Sequence, residues 1–300
     1  MELLLSSAFD QISSYDPASV RRGLRHIEGL LAHLCRPYTS ASTSPLPSKS
    51  DRPSPGGIDT RVADDPAYRE FLRLQEGFEW NLALRLVACL ERLLGQESND
   101  LTTLLILSTL DLLQGVLLVH PPSRRVFARE VNMTILLDLL EPQSSPAAIQ
   151  GATVNTLVCA LVEEWPNVRV CSFRPLERKY TNSLKTFEAL DGLESICTLF
   201  KRKDTDKEVK LRILEFLFFY LIPEPQATQS SSSSTSHHHA KTKNASPSED
   251  GWSGSSNASG YGHVVRTTQE KQRMLGKYLS NVESLVNELR QSQPFGNLMI

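Results

Sequence analysis

Apolar residues recur at three- and four-residue intervals along most of this 300-residue chain, the spacing that gathers them on one face of an α-helix. Asp16-Pro17 opens the first clear case. An acidic N-cap precedes a proline at the first helical position, where its missing N–H is no loss, and Val20, Leu24, Ile27, Leu31 and Leu34 then form one stripe. The same opening recurs at Asp65-Pro66, with Tyr68, Phe71, Leu72, Phe78, Leu82, Leu86, Leu90 and Leu93 behind it, predicting a helix that Gly95 stops. Ser145-Pro146 starts another, carrying Ile149 to Val162 and closed by Pro166. No segment shows sustained alternation bounded by hairpin turns, so the chain is predicted all-α. The longest apolar run, Leu101 to Val119, approaches membrane-spanning length. Asp111 at its centre and Gln114 a turn later are costly in lipid, which predicts a buried core helix instead.

A shift of 60 residues aligns Phe127–Val162 with Phe187–Ile222 without a gap and pairs apolar with apolar. Phe127 meets Phe187, Met133 meets Leu193, Leu136 meets Ile196, Leu139 meets Leu199, Ile149 meets Val209 and Leu157 meets Leu217. Helical period alone reproduces some of these matches but not the shared loop length. A short entry helix and two longer ones are being repeated. Such a unit cannot bury its stripe alone, whereas stacked units bury a continuous core, so the expectation is an armadillo/HEAT-like α-solenoid. The spacing exceeds the roughly 40 to 47 residues of that class. The basic, aperiodic segment 171–186, interrupted by Pro175, accounts for the excess either as an inserted loop or as translated intron sequence. A tryptic peptide containing Tyr180 excludes the intron; one joining Val170 to Phe187 establishes it.

Composition divides the chain. Residues 39–60 are Ser, Pro and Gly with few large aliphatics, and residues 223–263 hold Ser230–Ser234, His237–His239 and a Gly/Ser run; neither buries enough surface to offset the entropy of ordering. The expected layout is a helical domain over 1–222 interrupted by a flexible loop at 39–60, a disordered linker over 223–263, and an amphipathic C-terminal helix over 264–292. That last helix places Met274, Leu275, Tyr278, Leu279, Val282, Leu285, Val286 and Leu289 on one stripe. It either caps the exposed end of the stack, the favoured option, or inserts into a partner.

Lys plus Arg is 32 against Asp plus Glu 34, a formal charge of −2, which leaves no basic excess for a phosphate backbone and argues against nucleic acid. Met1–Ser6 lacks the cations and apolar length of a signal peptide. The five cysteines, Cys35, Cys89, Cys159, Cys171 and Cys197, are odd in number and widely spaced, so reduced core thiols in a cytoplasmic protein are expected. No Gly-rich phosphate loop, Gly-x-Ser-x-Gly elbow or Cys-x-x-Cys pair occurs, and no cysteine has an arginine six positions on, as a cysteine phosphatase requires. His26 and His33 share a helical stripe but stand about 10 Å apart along its axis, too far for one metal ion. The expectation is therefore no enzyme, no metal and no cofactor.

Three Ser-Pro dipeptides, at Ser44, Ser54 and Ser246, fall in the low-complexity segments and are candidate phosphorylation sites for proline-directed kinases, although such dipeptides also arise by composition. His120–Phe127 (HPPSRRVF) breaks one helix and starts the next, with Arg124, Arg125 and Arg129 expected to project where the helix dipole disfavours cations. Either this edge offers guanidinium groups to acidic or phosphorylated partners, or it is a solvated face paired with Glu130.

Four runs carry a resemblance: Arg73–Leu84 (RLQEGFEWNLAL), His120–Phe127, Phe187–Glu194 (FEALDGLE) with Phe200-Lys201 following, and Leu275–Glu283 (LGKYLSNVE). Together they resemble the fungal cell division control protein fourteen family of the septation initiation network, which is distinct from the phosphatase that shares the name. The resemblance implies a non-catalytic subunit that binds and supports a germinal-centre-class Ser/Thr protein kinase, acting at the spindle pole body to permit septum formation and cytokinesis. A self-associating structural helical protein without a kinase partner is the first alternative, and an enzyme with an unrecognised site is the second.

Overall fold

Every regular element among the described residues of the computed structural model is helical, and the describable residues are 1–35, 65–97, 99–141, 145–161, 183–221, 267–284 and 287. The helices are α1 (Glu2–Ile12), α2 (Pro17–Leu34), α3 (Pro66–Gln75), α4 (Leu82–Leu94), α5 (Asp100–Val119), α6 (Glu130–Asp138), α7 (Ala147–Leu161), α8 (Ser183–Ala189), α9 (Gly192–Lys201), α10 (Lys207–Leu221) and α11 (Thr268–Gly276). A 3₁₀ segment, Pro121–Ala128, lies between α5 and α6. The segments 39–60 and 223–263 lie outside the described residues.

Side-chain caps set the helix starts. Asp16 accepts from the Ala18 and Ser19 N–H groups at 3.3 and 2.9 Å, and Asp65 accepts from Ala67 N–H at 2.9 Å, each with a proline at the first helical position. Asn81 caps α4 through Leu84 N–H at 3.0 Å and Asn99 caps α5 through Thr102 N–H at 2.8 Å. A capping box opens α11, where Thr267 N–H donates to Glu270 Oε2 at 2.8 Å and Glu270 N–H donates back to Thr267 Oγ1 at 3.3 Å.

The single helix expected from Asp65 to Leu93 is two. Residues 76–81 leave the helical path between α3 and α4, and Phe78, expected in the stripe, is 70% exposed. The amide side chains of Gln75 and Asn81 satisfy the backbone groups that this break frees. The expected C-terminal helix is likewise interrupted: α11 stops at Gly276 and a turn over 277–281 follows, with Leu275, Leu279 and Val282 buried.

Four long helices are neighbours in order, α2 against α5, α5 against α7 and α7 against α10, and α11 packs on α10. Helices α1 and α4 and the 3₁₀ segment back this row: α1 packs on α2 and α4, and α4 packs on α5. Apolar stripes meet in one continuous core in which Phe71, Phe127, Phe187 and Phe216 are fully buried, each stabilising by about 1.5–3 kcal/mol relative to exposure. Helix α5 packs within this row and keeps one face open: Leu105, Leu110, Leu113 and Leu117 are buried, while Leu104 and Leu118 are more than half exposed. Arg92, at the end of α4, donates to the Ile12 carbonyl and ties α4 to the end of α1.

Helices α7 and α10 have the same length and boundaries 60 residues apart, and the 3₁₀ segment and α6 precede α7 as α8 and α9 precede α10. Paired positions share burial: Phe127 and Phe187, Leu136 and Ile196, and Leu157 and Leu217 are each fully buried. The order of elements and the burial of these three pairs match at this offset, whereas Val154 and Leu140 are buried and their counterparts Leu214 and Phe200 are half-buried.

Asp191, in the turn between α8 and α9, has φ 54°, left-handed backbone that strains most side chains. Its neighbour Gly192 is required for another reason. A Cβ there would stand 2.3 Å from Cε2 of Phe187, whose ring is held by Phe216 at 5.6 Å between centroids. Gly192→Ala is expected to destabilise by about 1–3 kcal/mol, read as a lower urea midpoint with an unchanged slope, whereas Asp191→Gly, which relieves the strained backbone, is expected to be neutral or stabilising.

Candidate partner-binding surface

His120 ends α5 because two prolines follow it and lack the N–H groups a continuing helix needs. The backbone then tightens into the 3₁₀ segment, opened by Ser123 N–H donating to His120 O at 3.0 Å. His120 is buried, its Nδ1 lies 2.7 Å from Ser123 Oγ, and Asn81 Nδ2 donates to that oxygen at 3.3 Å. The set is complete when Ser123 donates to an unprotonated Nδ1. Burial, with Arg125 nearby, pushes the imidazole down to about 4, so the ring is neutral near pH 7.

The tight turn changes which arginines are available. Three residues per turn put Arg124 on the same face as the fully buried Phe127. Arg124 is itself buried, with Nε donating to Leu117 O at 3.3 Å, so the expectation that it projects outward is corrected. Arg125 and Arg129 are exposed, and Glu130 beside them is exposed as well. Among the described residues neither arginine makes an ion pair with Glu130 or any other carboxylate. The edge is two guanidinium groups on a rigid 3₁₀ scaffold.

That scaffold is held from three sides. Asn81 reaches it from the α3–α4 loop, and Tyr68 of α3 donates to Val119 O at 3.4 Å. From α8, Ser183 Oγ donates to Arg124 O and Thr186 Oγ1 donates to Ala128 O, both at 3.0 Å. Ser183 and Thr186 therefore belong to the fold, which corrects the expectation that 171–186 is one aperiodic insert. Residues 171–182 lie outside the described residues.

At the other end of the row, Tyr220 of α10 donates to Glu188 Oε1 at 2.8 Å, and the buried Lys271 of α11 places Nζ 5.5 Å from the Tyr220 ring centroid. A pocket lined by Val158, Leu161, Leu184, Phe216, Phe219, Tyr220 and Lys271 lies beside this contact and offers apolar surface with one cation. Cys89 and Cys197 are buried, and burial pushes both thiols up, Cys197 to about 11, which makes them poor nucleophiles. Cys35 is an exception to the expected core thiols: it is exposed at the end of α2. His26 and His33 are exposed on α2. Ser44, Ser54, Ser246 and Cys171 lie outside the described residues.

The sequence profile of the family described as cell division control protein 14, a component of the septation initiation network, matches residues 1–295. The chain belongs to that family. It is 29% identical to "Cell division control protein 14" of Schizosaccharomyces pombe (strain 972 / ATCC 24843) over 307 aligned positions that cover 99% of this chain and 98% of that protein. No solved structure matches the chain. Two of the runs that carry the family resemblance, Arg73–Leu84 and His120–Phe127, meet at the Asn81–Ser123 hydrogen bond.

Burial of His120 sets a pH dependence in this family member. Its folded pKa is depressed, so between about 4 and 6.5 the unfolded chain binds more protons than the folded one, and folding stability falls as pH drops through that window. The difference amounts to about 3 kcal/mol at most. His120→Gln is expected to remove this component, so that the wild-type stability minus the variant stability, measured by urea unfolding, falls between pH 6.5 and 4 and is flat above pH 7.

Proposed function

We propose that the chain is a non-catalytic scaffold that binds a germinal-centre-class Ser/Thr protein kinase of the septation initiation network and so promotes septum formation and cytokinesis. The observation that carries this reading is family membership across residues 1–295, in a family described as a component of that network. We place it in the cytoplasm, at the spindle pole body. Its contribution is to bind one kinase state better than another and so shift the kinase toward an active or correctly positioned form.

An armadillo-like arrangement suits this role and is part of the proposal. The in-order contacts of α2, α5, α7 and α10 and the 60-residue offset of α7 and α10 support it. In that arrangement α11, with Leu275 buried against α10, covers the last repeat. Arg125 and Arg129 offer planar donors to acidic or phosphorylated side chains of the partner. Phosphorylation at Ser44, Ser54 or Ser246 would add negative charge and tune the same association.

The test is capture of the purified kinase by the purified full-length chain. Arg125→Glu with Arg129→Glu is expected to weaken binding about tenfold or more with helical circular dichroism unchanged. Undiminished binding removes this edge from the interface. A wild-type chain that captures no kinase, and whose mass in solution rises with concentration, favours self-association instead. Phosphoryl transfer or hydrolysis by the chain alone would overturn the non-catalytic assignment.

A further inference from the structure

Four side-chain hydrogen bonds order the base of the loop between α3 and α4, which carries an exposed aromatic residue at its tip. Gln75, 1% exposed, accepts from Leu82 N–H at 2.7 Å through Oε1 and donates to Trp80 O at 3.0 Å through Nε2. Asn81 Nδ2 donates to Gln75 O at 2.9 Å, and Arg85 Nη2 donates to Glu79 O at 3.2 Å. Trp80 turns inward and stacks on Phe9, with centroids 6.2 Å apart. The base of the loop is thus fixed at both ends and from inside.

Its tip points the other way. Phe78 is 70% exposed, and Glu76, Gly77 and Glu79 around it are exposed too. Neither glutamate makes an ion pair among the described residues. Among the described residues no ring contact involves Phe78, and the hydrogen bonds that order the loop come from Gln75, Asn81 and Arg85. An aromatic side chain on a preorganised loop is the residue type and setting of an interface anchor: it buries a large area and has little conformational entropy left to lose.

We infer that Phe78 is a docking anchor that inserts into an apolar pocket of the partner, with Glu76 and Glu79 meeting lysine or arginine side chains on the pocket rim. The charge pattern selects that occupant: two exposed carboxylates that make no ion pair among the described residues flank the ring, so an acidic or neutral rim is repelled or unrewarded. The inference rests on the kinase-binding reading and assigns the pocket to the kinase.

The test measures the dissociation constant between the purified full-length chain and the purified kinase. Phe78→Ala is expected to weaken binding roughly 30-fold or more, because an anchor ring contributes at the hot-spot level. Its melting temperature should stay within about a degree of wild type, because the ring is solvated in the free protein. The pair Glu76→Lys and Glu79→Lys, which alters only exposed positions, is expected to weaken binding about tenfold and to flatten its dependence on salt. Wild-type affinity in Phe78→Ala, or unaltered affinity and salt dependence in the lysine pair, overturns the docking loop and leaves the kinase reading standing. Absence of binding by the wild-type chain overturns both, so the two failures are told apart within one experiment.

Discussion

A helix that stops inside a packed domain frees backbone N–H and C=O groups, and each one left unpaired away from water costs about 1–3 kcal/mol. This chain stops two helices at the same place, α3 at Gln75 and α5 at Val119. The freed groups are answered by side chains: Gln75 and Asn81 on one break, Arg124 at the Leu117 carbonyl and Tyr68 at the Val119 carbonyl on the other, with one hydrogen bond, Asn81 to Ser123, linking them. Ser183 and Thr186 bring α8 into the same junction. The row of long helices can bury its apolar faces only if the chain leaves the helical path at these points, so packing depends on polar satisfaction at the breaks.

The junction also decides what the surface presents. Because the 3₁₀ turn folds Arg124 inward, the exposed guanidinium groups are Arg125 and Arg129, carried on backbone that α8 holds from behind. Because Gln75 and Asn81 pin the base of the neighbouring loop, fewer conformations are open to its tip. Between the two features lies the neutral, buried His120, whose desolvation cost is met by a short contact to Ser123. Rigid presentation matters for a binding protein, since side chains already ordered lose little entropy on association.

Much of this fold is legible in the sequence because helical stripes and proline-backed caps are local signals. Asp16 and Asp65 cap where an acidic residue before proline says they should, and the 60-residue offset reappears in the bounds of α7 and α10. The misreadings share one cause. Phe78 sits four residues after Leu74 and four before Leu82, so spacing alone continues the stripe through a break that Gly77 and the cap residue Asn81 could have signalled. Arg124 looked exposed because a helix of 3.6 residues per turn was assumed where the turn has three. Gln75 carried no signal at all: an amide that bonds like a piece of backbone is indistinguishable in sequence from any surface glutamine.

The four runs that carry the family resemblance have a common location. Arg73–Leu84 spans the α3–α4 break, His120–Phe127 the end of α5, Phe187–Glu194 the turn at Asp191 and Gly192, and Leu275–Glu283 the end of α11. Physical tolerance differs between these breaks and the buried stripes. A buried stripe accepts Leu, Ile, Val or Met in exchange for one another provided volume and pattern are kept. A break has no such latitude: Gly192 has no room for a Cβ beside Phe187, and Asn81 must accept from one backbone group while donating to another. In this chain the ends of the helices are therefore more tightly constrained in residue type than the stripes the helices bury.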